Sequence, residues 1–124
     1  MEEAPADLER RDGEVLKLVG LTRRAGRAVI GTKAVREAAR RGSLSLALIA
    51  RDAGDNARSR VVPVFDATGT PWLPCGSNAA LGRSIGRGRA VVIGIADARL
   101  ATRIREVLER TSGPGAAMDS LKER

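Results

Sequence analysis

The sequence has no histidine and a single cysteine, Cys75, which removes much of the usual chemistry of enzyme active sites. Histidine is the commonest general acid or base near neutral pH, and without it Cys75 has no imidazole to activate it as a nucleophile. Zinc sites built from cysteine and histidine are excluded, and no disulfide can form within the chain. We therefore expect a non-catalytic protein with no metal and no cofactor, and we interpret Cys75 as a small residue in a loop.

Aromatic residues and long apolar runs are also scarce. Phe65 and Trp72 are the only aromatic side chains, so the core must consist of Leu, Val, Ile and Ala, and stacking on single-stranded bases is poorly supported. No apolar run approaches the roughly 20 residues needed to span a bilayer, and the N-terminal MEEAPADLERR has no apolar secretory segment. Together with the single cysteine, these features predict a cytoplasmic protein without membrane contact.

Nucleotide-binding motifs are absent as well. The glycine-rich segment 82–88 lies between a predicted helix and a predicted strand, whereas the fingerprint G-x-G-x-x-G follows a strand and opens a helix. The Walker pattern does not occur in the sequence. We expect Gly82 to permit close packing of its helix, and Gly86 and Gly88 to form the exit from that helix.

Asp52 and Asp55 form a carboxylate pair by their spacing. A magnesium site would need a third carboxylate nearby, so we interpret the pair as turn and helix caps, with Asp55 as the N-cap. A small enzyme acting on phosphorylated substrates is the least supported hypothesis, because these residues supply no acid–base pair.

Positive charge is abundant and regional. The chain has 22 Lys and Arg against 15 Asp and Glu, which gives a net charge of +7. The segment 23–60 contains ten of the basic residues and three acids, whereas the first fourteen residues are acidic on balance. A basic surplus attracts polyanions, and its concentration in one segment indicates a binding face for nucleic acid.

Apolar periodicity predicts that helices and strands alternate along the chain. The predicted strands are 27–30, 44–50, 70–74 and 90–96, and the predicted helices begin near residues 12, 32, 55, 77 and 100. Pro63 is expected to kink or shorten the third helix, and the two prolines of segment 70–74 confine that strand to an edge or to irregular pairing. The alternation predicts an α/β fold, a three-layer α/β/α sandwich around a four-stranded mixed sheet.

The most informative segment is Gly31-Thr32-Lys33, where an apolar strand passes into a basic helix. A helix N-terminus presents unpaired N–H groups and the positive end of its dipole, so it is suited to binding phosphate. Lys33, Arg36 and Arg40 follow at i, i+3, i+7 spacing on one helix face, and a solvated charged face is the simpler explanation for such a row. The glycine approach and the regional charge excess favour nucleic-acid contact, with Arg24 and Arg27 flanking the site.

Structured RNA suits these features better than DNA. The sequence has no helix-turn-helix spacing and no finger motif. Backbone and shape recognition, which is typical of structured RNA, requires cationic groups and not aromatic platforms. The competing hypothesis is an adaptor module that binds an acidic protein partner.

The order of the motifs VIGTKAVREAARRG, LSLALIARDAGDNAR, WLPCGSNAALGRSIGRG and AVVIGIAD is similar to a known family. It resembles the ribosomal proteins that include L-seven-Ae and L-thirty-e, and among them the short bacterial YlxQ-like members. The resemblance covers about residues 13–110. Its most specific pieces are the glycine-led second helix, the turn at 50–53, and Leu81-Gly82 with Gly86.

The resemblance implies the three-layer sandwich and binding of kink-turn RNA, in which tandem sheared G·A pairs bend the helix sharply. It implies contacts from segments 31–37 and 74–78. In the RNA-binding hypothesis, Ser77, Asn78 and Arg83 supply a second contact. The family's Asn-Glu pair falls on Lys33 and Ala34, and Ala34 has no acceptor for guanine N–H groups. The resemblance therefore implies backbone contact more strongly than guanine readout.

These inferences predict three segments, namely a flexible N-terminus over 1–11, one RNA-binding domain over 12–111 and a disordered tail over 112–124. The predicted partner is structured RNA, ribosomal or kink-turn-like, bound by a monomer without affinity for DNA. The predicted contacts share a basic or small polar side chain, or a glycine, near the two implied segments: Arg24, Arg27, Gly31, Thr32, Lys33, Arg36, Arg40, Ser77, Asn78 and Arg83.

Overall fold

Helices and strands alternate throughout the computed structural model, which describes residues 5–110. The helices are α1 (Pro5–Arg24), α2 (Thr32–Arg40), α3 (Asp55–Thr68), α4 (Asn78–Ser84) and α5 (Ala98–Glu109). The strands are β1 (Ala28–Ile30), β2 (Leu46–Ile49), β3 (Trp72–Pro74) and β4 (Val92–Ile95). The alternation predicted from apolar periodicity is confirmed.

The four strands form one mixed sheet in the order β1-β4-β2-β3. The strand β4 pairs antiparallel with both β1 and β2, and β3 lies at an edge, parallel to β2. Helices α1, α4 and α5 cover one face of the sheet, and α2 and α3 cover the other. The structure therefore confirms the three-layer α/β/α sandwich, with the proline-containing strand at an edge.

The core is divided between the two faces of the sheet by the alternation of side chains along β2 and β4. Leu46 and Leu48 pack towards α1, α4 and α5, and Ala47 and Ile49 pack towards α2 and α3. All four residues of β2 are buried, as expected for a central strand. The buried residues of both clusters are aliphatic apart from Cys75 and Phe65, the latter a fully buried residue of α3.

Helices α1 and α2 end in the same way. Gly26 has φ 72° and its N–H donates to the carbonyl of Arg23, and the N–H of Arg27 donates to the carbonyl of Thr22. Gly42, with φ 70°, repeats this hydrogen-bond pattern after α2. Both are Schellman motifs, in which a left-handed residue just beyond the helix lets its last carbonyls find donors. Both helices therefore end at a glycine in the left-handed conformation.

Three local predictions need correction. Helix α1 begins at Pro5 and not near Asp12. The packing of its apolar side onto α5 stabilises the helix more than the polar composition of its first turns disfavours it. The N-cap of α3 is Gly54, and Asp55 is the first helical residue. Pro63 neither ends nor shortens α3, which continues to Thr68 with the proline on its exposed side.

The predictions for residues 1–4 and for the tail 112–124 lie outside the described residues. Between residues 5 and 110, no helix is both long enough and apolar enough to cross a bilayer.

Candidate nucleic-acid interface

Loops from four separate parts of the chain lie together at one end of the strands of the sheet. Ile30 at the end of β1 pairs with Ile93 near the start of β4, and Ile49 at the end of β2 pairs with both Val92 and Pro74. The segments that continue from these strand ends therefore meet at one place. We call this place the loop edge, and it consists of residues 31–33, 51–54, 75–78 and 86–91.

The N-terminus of α2 opens onto the loop edge. Gly31 has φ 100° and ψ 146°, a backbone conformation that glycine tolerates and other residues rarely adopt. The first helical hydrogen bond runs from the N–H of Val35 to the carbonyl of Gly31, over 2.9 Å. The N–H groups of residues 32–34 precede that bond, and no side chain in the described part of the chain caps them. They are therefore oriented towards an anion placed before the helix.

The loop between α4 and β4 brings two arginines to the same opening. Arg87 and Arg89 are exposed, and with residues 30–32 and 90–92 they line a hollow of about 330 Å³. Backbone hydrogen bonds tie this loop to α4, among them those from the Arg87 N–H to the Gly82 carbonyl at 2.7 Å and from the Ala90 N–H to the Asn78 carbonyl at 2.9 Å. Two guanidinium groups thus share one concave surface with the positive end of α2.

An ion pair fixes the loops that follow β2 and β3. Arg51 donates from Nε and Nη2 to the two carboxylate oxygens of Asp12, each over 3.0 Å. The same carboxylate accepts a 2.9 Å bond from the N–H of Gly76, and the N–H of Arg51 donates to the Gly76 carbonyl over 2.8 Å. Asp12 is 8% exposed. One nearly buried carboxylate therefore joins α1 to both loops.

The ion pair of Asp12 and Arg51 shifts the pKa of the Arg51 guanidinium and contributes to the shift of the neighbouring Cys75 thiol. The hydrogen bonds from Arg51 to Asp12 raise the pKa of the Arg51 guanidinium above its ordinary value. Desolvation lowers that pKa, but by less. Burial raises the pKa of the Cys75 thiol to about 12, and the negative charge of Asp12 acts in the same direction. Cys75 is therefore a protonated core residue at neutral pH, and Arg51 is charged at every pH at which the fold exists.

The start of α4 is capped twice. The Ser77 hydroxyl accepts from the N–H of Ala80 at 3.0 Å and so forms the N-cap of the helix, which begins where it was predicted, near residue 77. The carboxylate of Asp52 accepts from the N–H of Asn78 at 2.8 Å. Asp52 is therefore a cap, as its position suggested, but for a helix that begins 26 residues later. These two bonds occupy the N-terminus of α4, whereas that of α2 is open.

The structure brings together only part of the predicted site. Gly31, Thr32, Lys33, Ser77 and Asn78 all lie at the loop edge. Arg36 is half-buried one turn further along α2. Arg83 is exposed and lines a separate hollow of about 510 Å³ between α1 and α4, together with Arg51 and Asp52.

The remaining three predicted contacts do not flank the N-terminus of α2. Arg27 lies at the start of β1, where its carbonyl accepts from the N–H of Ala96 at 2.8 Å, so it stands at the opposite end of the sheet. Arg24 belongs to the last turn of α1 beside it, and Arg40 to the last turn of α2. The prediction that Arg24 and Arg27 flank the site followed from their closeness in sequence to Gly31. The extended strand β1 lies between them and Gly31 and places them at its other end.

Sequence reasoning missed Arg87, Arg89, Asp12 and Arg51. Arg87 and Arg89 could have been identified, because both lie in the glycine-rich segment 82–88 or directly after it. Only the glycines of that segment were interpreted. The pairing of Asp12 with Arg51 spans 39 residues and gives no local signal. Within residues 5–110, no group of three or more His, Cys, Asp or Glu side chains is arranged to hold a metal ion.

The sheet order, the helix layers and the glycine-led α2 define the class of protein. They are the architecture of the ribosomal L-seven-Ae and L-thirty-e family, as the resemblance in sequence implied. No family model matches the chain. The RNA-binding protein YlxQ of Bacillus subtilis is 31% identical over 96 residues, which cover 77% of this chain and 96% of YlxQ. The chain therefore belongs to the YlxQ-like members of this family.

Two solved structures share the fold. A Bacillus halodurans protein of unknown function is 28% identical with a TM-score of 0.73, and the match covers 77% of this chain and 96% of that protein. The 15.5 kD RNA binding protein of Giardia lamblia is 23% identical with a TM-score of 0.67, over 90% of this chain and 92% of its own.

Proposed function

We propose that this protein binds structured RNA at the loop edge and catalyses no reaction on it. The observation that carries the proposal is the hollow in which the uncapped N-terminus of α2 faces Arg87 and Arg89. Its relative YlxQ is named as an RNA-binding protein, which supports the same partner. The absence of histidine from the chain agrees with a binding role.

The chemistry of the loop edge suits phosphate better than base edges. Backbone N–H groups, the exposed ammonium of Lys33 and two guanidinium groups all donate hydrogen bonds or carry positive charge. Ala34 offers no polar side chain where a base could be read. The proposed ligand is therefore a sharply bent, kink-turn-like RNA whose backbone strands converge on the hollow. We propose that this RNA is ribosomal and that the protein binds it in the cytoplasm.

The direct test is a titration of a kink-turn RNA by the protein, read by gel shift. A matched RNA in which Watson–Crick pairs replace the sheared G·A pairs reports on shape, and salt from about 50 to about 200 mM reports on phosphate contacts. We expect tighter binding of the bent RNA and a log–log salt slope of roughly −0.7 to −0.9 for each phosphate neutralised.

Lys33→Glu locates the site. Because a charged hydrogen bond is lost and a repulsion added, we expect affinity to fall by about tenfold or more while the melting temperature is unchanged. Lys17→Glu, an exposed change of the same charge on α1, is the control and should have no comparable effect. A salt-independent affinity, or wild-type binding by the Lys33 variant, contradicts the proposal. Pull-down of an acidic protein that survives RNase would support the adaptor hypothesis instead.

A further inference from the structure

A second basic surface lies at the opposite end of the sheet. Helix α1 ends in Arg23 and Arg24, helix α2 ends with Arg40 and Arg41, and a left-handed glycine terminates each of them. Arg27 stands between the two helix ends at the start of β1. We call these residues the arginine face: Arg23, Arg24, Arg27, Arg40 and Arg41.

Backbone hydrogen bonds hold the parts of this face side by side. The N–H of Ala96 donates to the carbonyl of Arg27, and the N–H of Ser45 donates to the carbonyl of Ile95, each over 2.8 Å. Three neighbouring strand ends are thereby adjacent, and at about 4.8 Å between strands the outer two are roughly 10 Å apart. Ser45 follows Arg41 by four residues, so the chain leaving α2 returns to the sheet at the start of β2, with β4 between it and Arg27.

The arginine face is separate from the loop edge. Gly31 follows Arg27 by four residue steps across β1, which corresponds to about 13 Å along an extended strand. Helix α2 separates Lys33 from Arg40 by seven residues, or about 10 Å. The two surfaces therefore stand at opposite ends of the same strands and helix.

The charge on the arginine face exceeds what the helix ends require. A cation in the last turn complements the dipole, and two helix C-termini together offset only about one positive charge. All five arginines are exposed, and within residues 5–110 none of them forms an ion pair. Two acids lie at this end. Asp97 is occupied as the N-cap of α5, where it accepts from the N–H of Leu100 at 2.9 Å. Glu37, exposed in the last turn of α2, is a single carboxylate against five arginines.

We propose that the arginine face is a second RNA-binding surface, so that one protein molecule holds two RNA segments. The cationic residues of the face are all arginine, whose planar fork matches phosphate oxygens in pairs. A protein partner would need an apolar centre of the kind that interfaces of about 800 Å² per side contain. Nearby, Leu21 is the one large apolar side chain that stands exposed in the described part of the chain, at 45%.

The experiment is native mass spectrometry of the whole protein with two RNAs of different mass. The first is the kink-turn RNA described above and the second is a plain hairpin duplex. We expect a complex of one protein with one copy of each RNA, together with binary complexes. This inference rests on the proposed function for its first RNA, but the two are read from different peaks.

Two variants of the arginine face are compared with a control of equal charge change. Arg27→Gln with Arg40→Gln, and separately Arg23→Gln with Arg24→Gln, should reduce occupancy by the second RNA about tenfold, while binding of the kink-turn RNA changes less than about twofold. Arg103→Gln with Arg105→Gln on α5 should bind both RNAs as the wild type does. Lys33→Glu should lose the kink-turn RNA and retain the duplex.

The proposal is overturned if the wild type never holds more than one RNA, or if both variants of the arginine face hold two as readily as the α5 control does. If the wild type binds neither RNA, the proposed function itself fails, and that result is distinct from a maximum of one RNA per protein.

Discussion

The backbone of Arg89 passes so close to Gly82 that no side chain fits between them. A β-carbon on Gly82 would lie 2.4 Å from the Cα of Arg89 and 2.5 Å from its nitrogen. The Gly82 carbonyl also accepts the N–H of Arg87, two residues earlier in the same loop. A glycine in α4 thus sets the position of the loop that carries Arg87 and Arg89.

Gly82→Ala should therefore destabilise the protein and displace this loop. The added carbon meets backbone atoms, which cannot rotate away, so we expect a loss at or beyond the upper end of the usual 1–3 kcal/mol for overpacking, about 3 kcal/mol. Urea unfolding measures this change. The matched control is Gly13→Ala in α1, where a β-carbon meets nothing within 4 Å and should stabilise the helix by about 0.5–1 kcal/mol. Equal effects of the two substitutions would contradict the close contact.

The pair of Asp12 and Arg51 should be strongly coupled. Asp12→Asn and Arg51→Gln each break a two-bond interaction at a nearly buried carboxylate, and a double-mutant cycle should give a coupling of about 1–3 kcal/mol. Arg51→Lys should not restore stability, because an ammonium cannot make the planar two-bond contact.

An exposed ion pair serves as the control for this cycle. Arg105 and Glu109 lie one turn apart on α5 at 3.4 Å, with about half of each side chain exposed. Their coupling should not exceed about 0.5 kcal/mol, since solvent screens the charges. A cycle for Asp12 and Arg51 that falls within that range would mean that the pair does not hold the loops.

The two arginines of the α4–β4 loop should contribute to RNA affinity through phosphate. Arg87→Gln with Arg89→Gln should weaken binding of the kink-turn RNA and of its Watson–Crick-paired control alike, and make the log–log salt slope shallower by about 1.4–1.8, the value for two phosphates. Arg103→Gln with Arg105→Gln provides an equal loss of charge elsewhere. A change in preference between RNAs, with an unchanged slope, would indicate base contacts instead.

Stability should decrease at alkaline pH because of Cys75. Burial raises the pKa of its thiol from 9.0 to about 12, so the folded protein keeps a proton that the unfolded chain releases. The stabilising contribution is complete below about pH 9 and is lost as pH rises towards 12, on the order of 2 kcal/mol by pH 10.5. Cys75→Ala removes this dependence, and urea unfolding of both proteins at pH 8 and pH 10.5 compares them. Parallel pH profiles would show that the thiol ionises freely in the folded state.

Local features of the fold were predictable because they depend on a few neighbouring residues. Ser77 caps α4 through an N–H three residues away, and Gly26 follows α1 in the conformation that glycine alone adopts easily. The buried strands were predictable from their uninterrupted apolar runs. Each of these signals lies within one turn or one strand, where sequence distance and spatial distance agree.

The composition of the site was harder to predict because it depends on which strand ends meet. Gly31 and Arg27 are four residues apart in sequence and lie at opposite ends of β1, whereas Gly31 and Arg89 are 58 residues apart and line one hollow. Only the antiparallel pairing of β4 with β1 creates this arrangement. Long-range pairing also explains why Asp52 caps α4, a helix to which no local pattern assigns it.

Trp72 stands on the edge strand β3, with the guanidinium carbon of Arg58 at 5.5 Å from the centre of its ring. It is the only tryptophan in the chain, and β3 ends two residues later, where the chain enters the loop edge. Any movement of that segment alters the surroundings of the indole and of the cation above it. We therefore expect the native emission spectrum to respond to any movement of this segment, without the need to attach a dye.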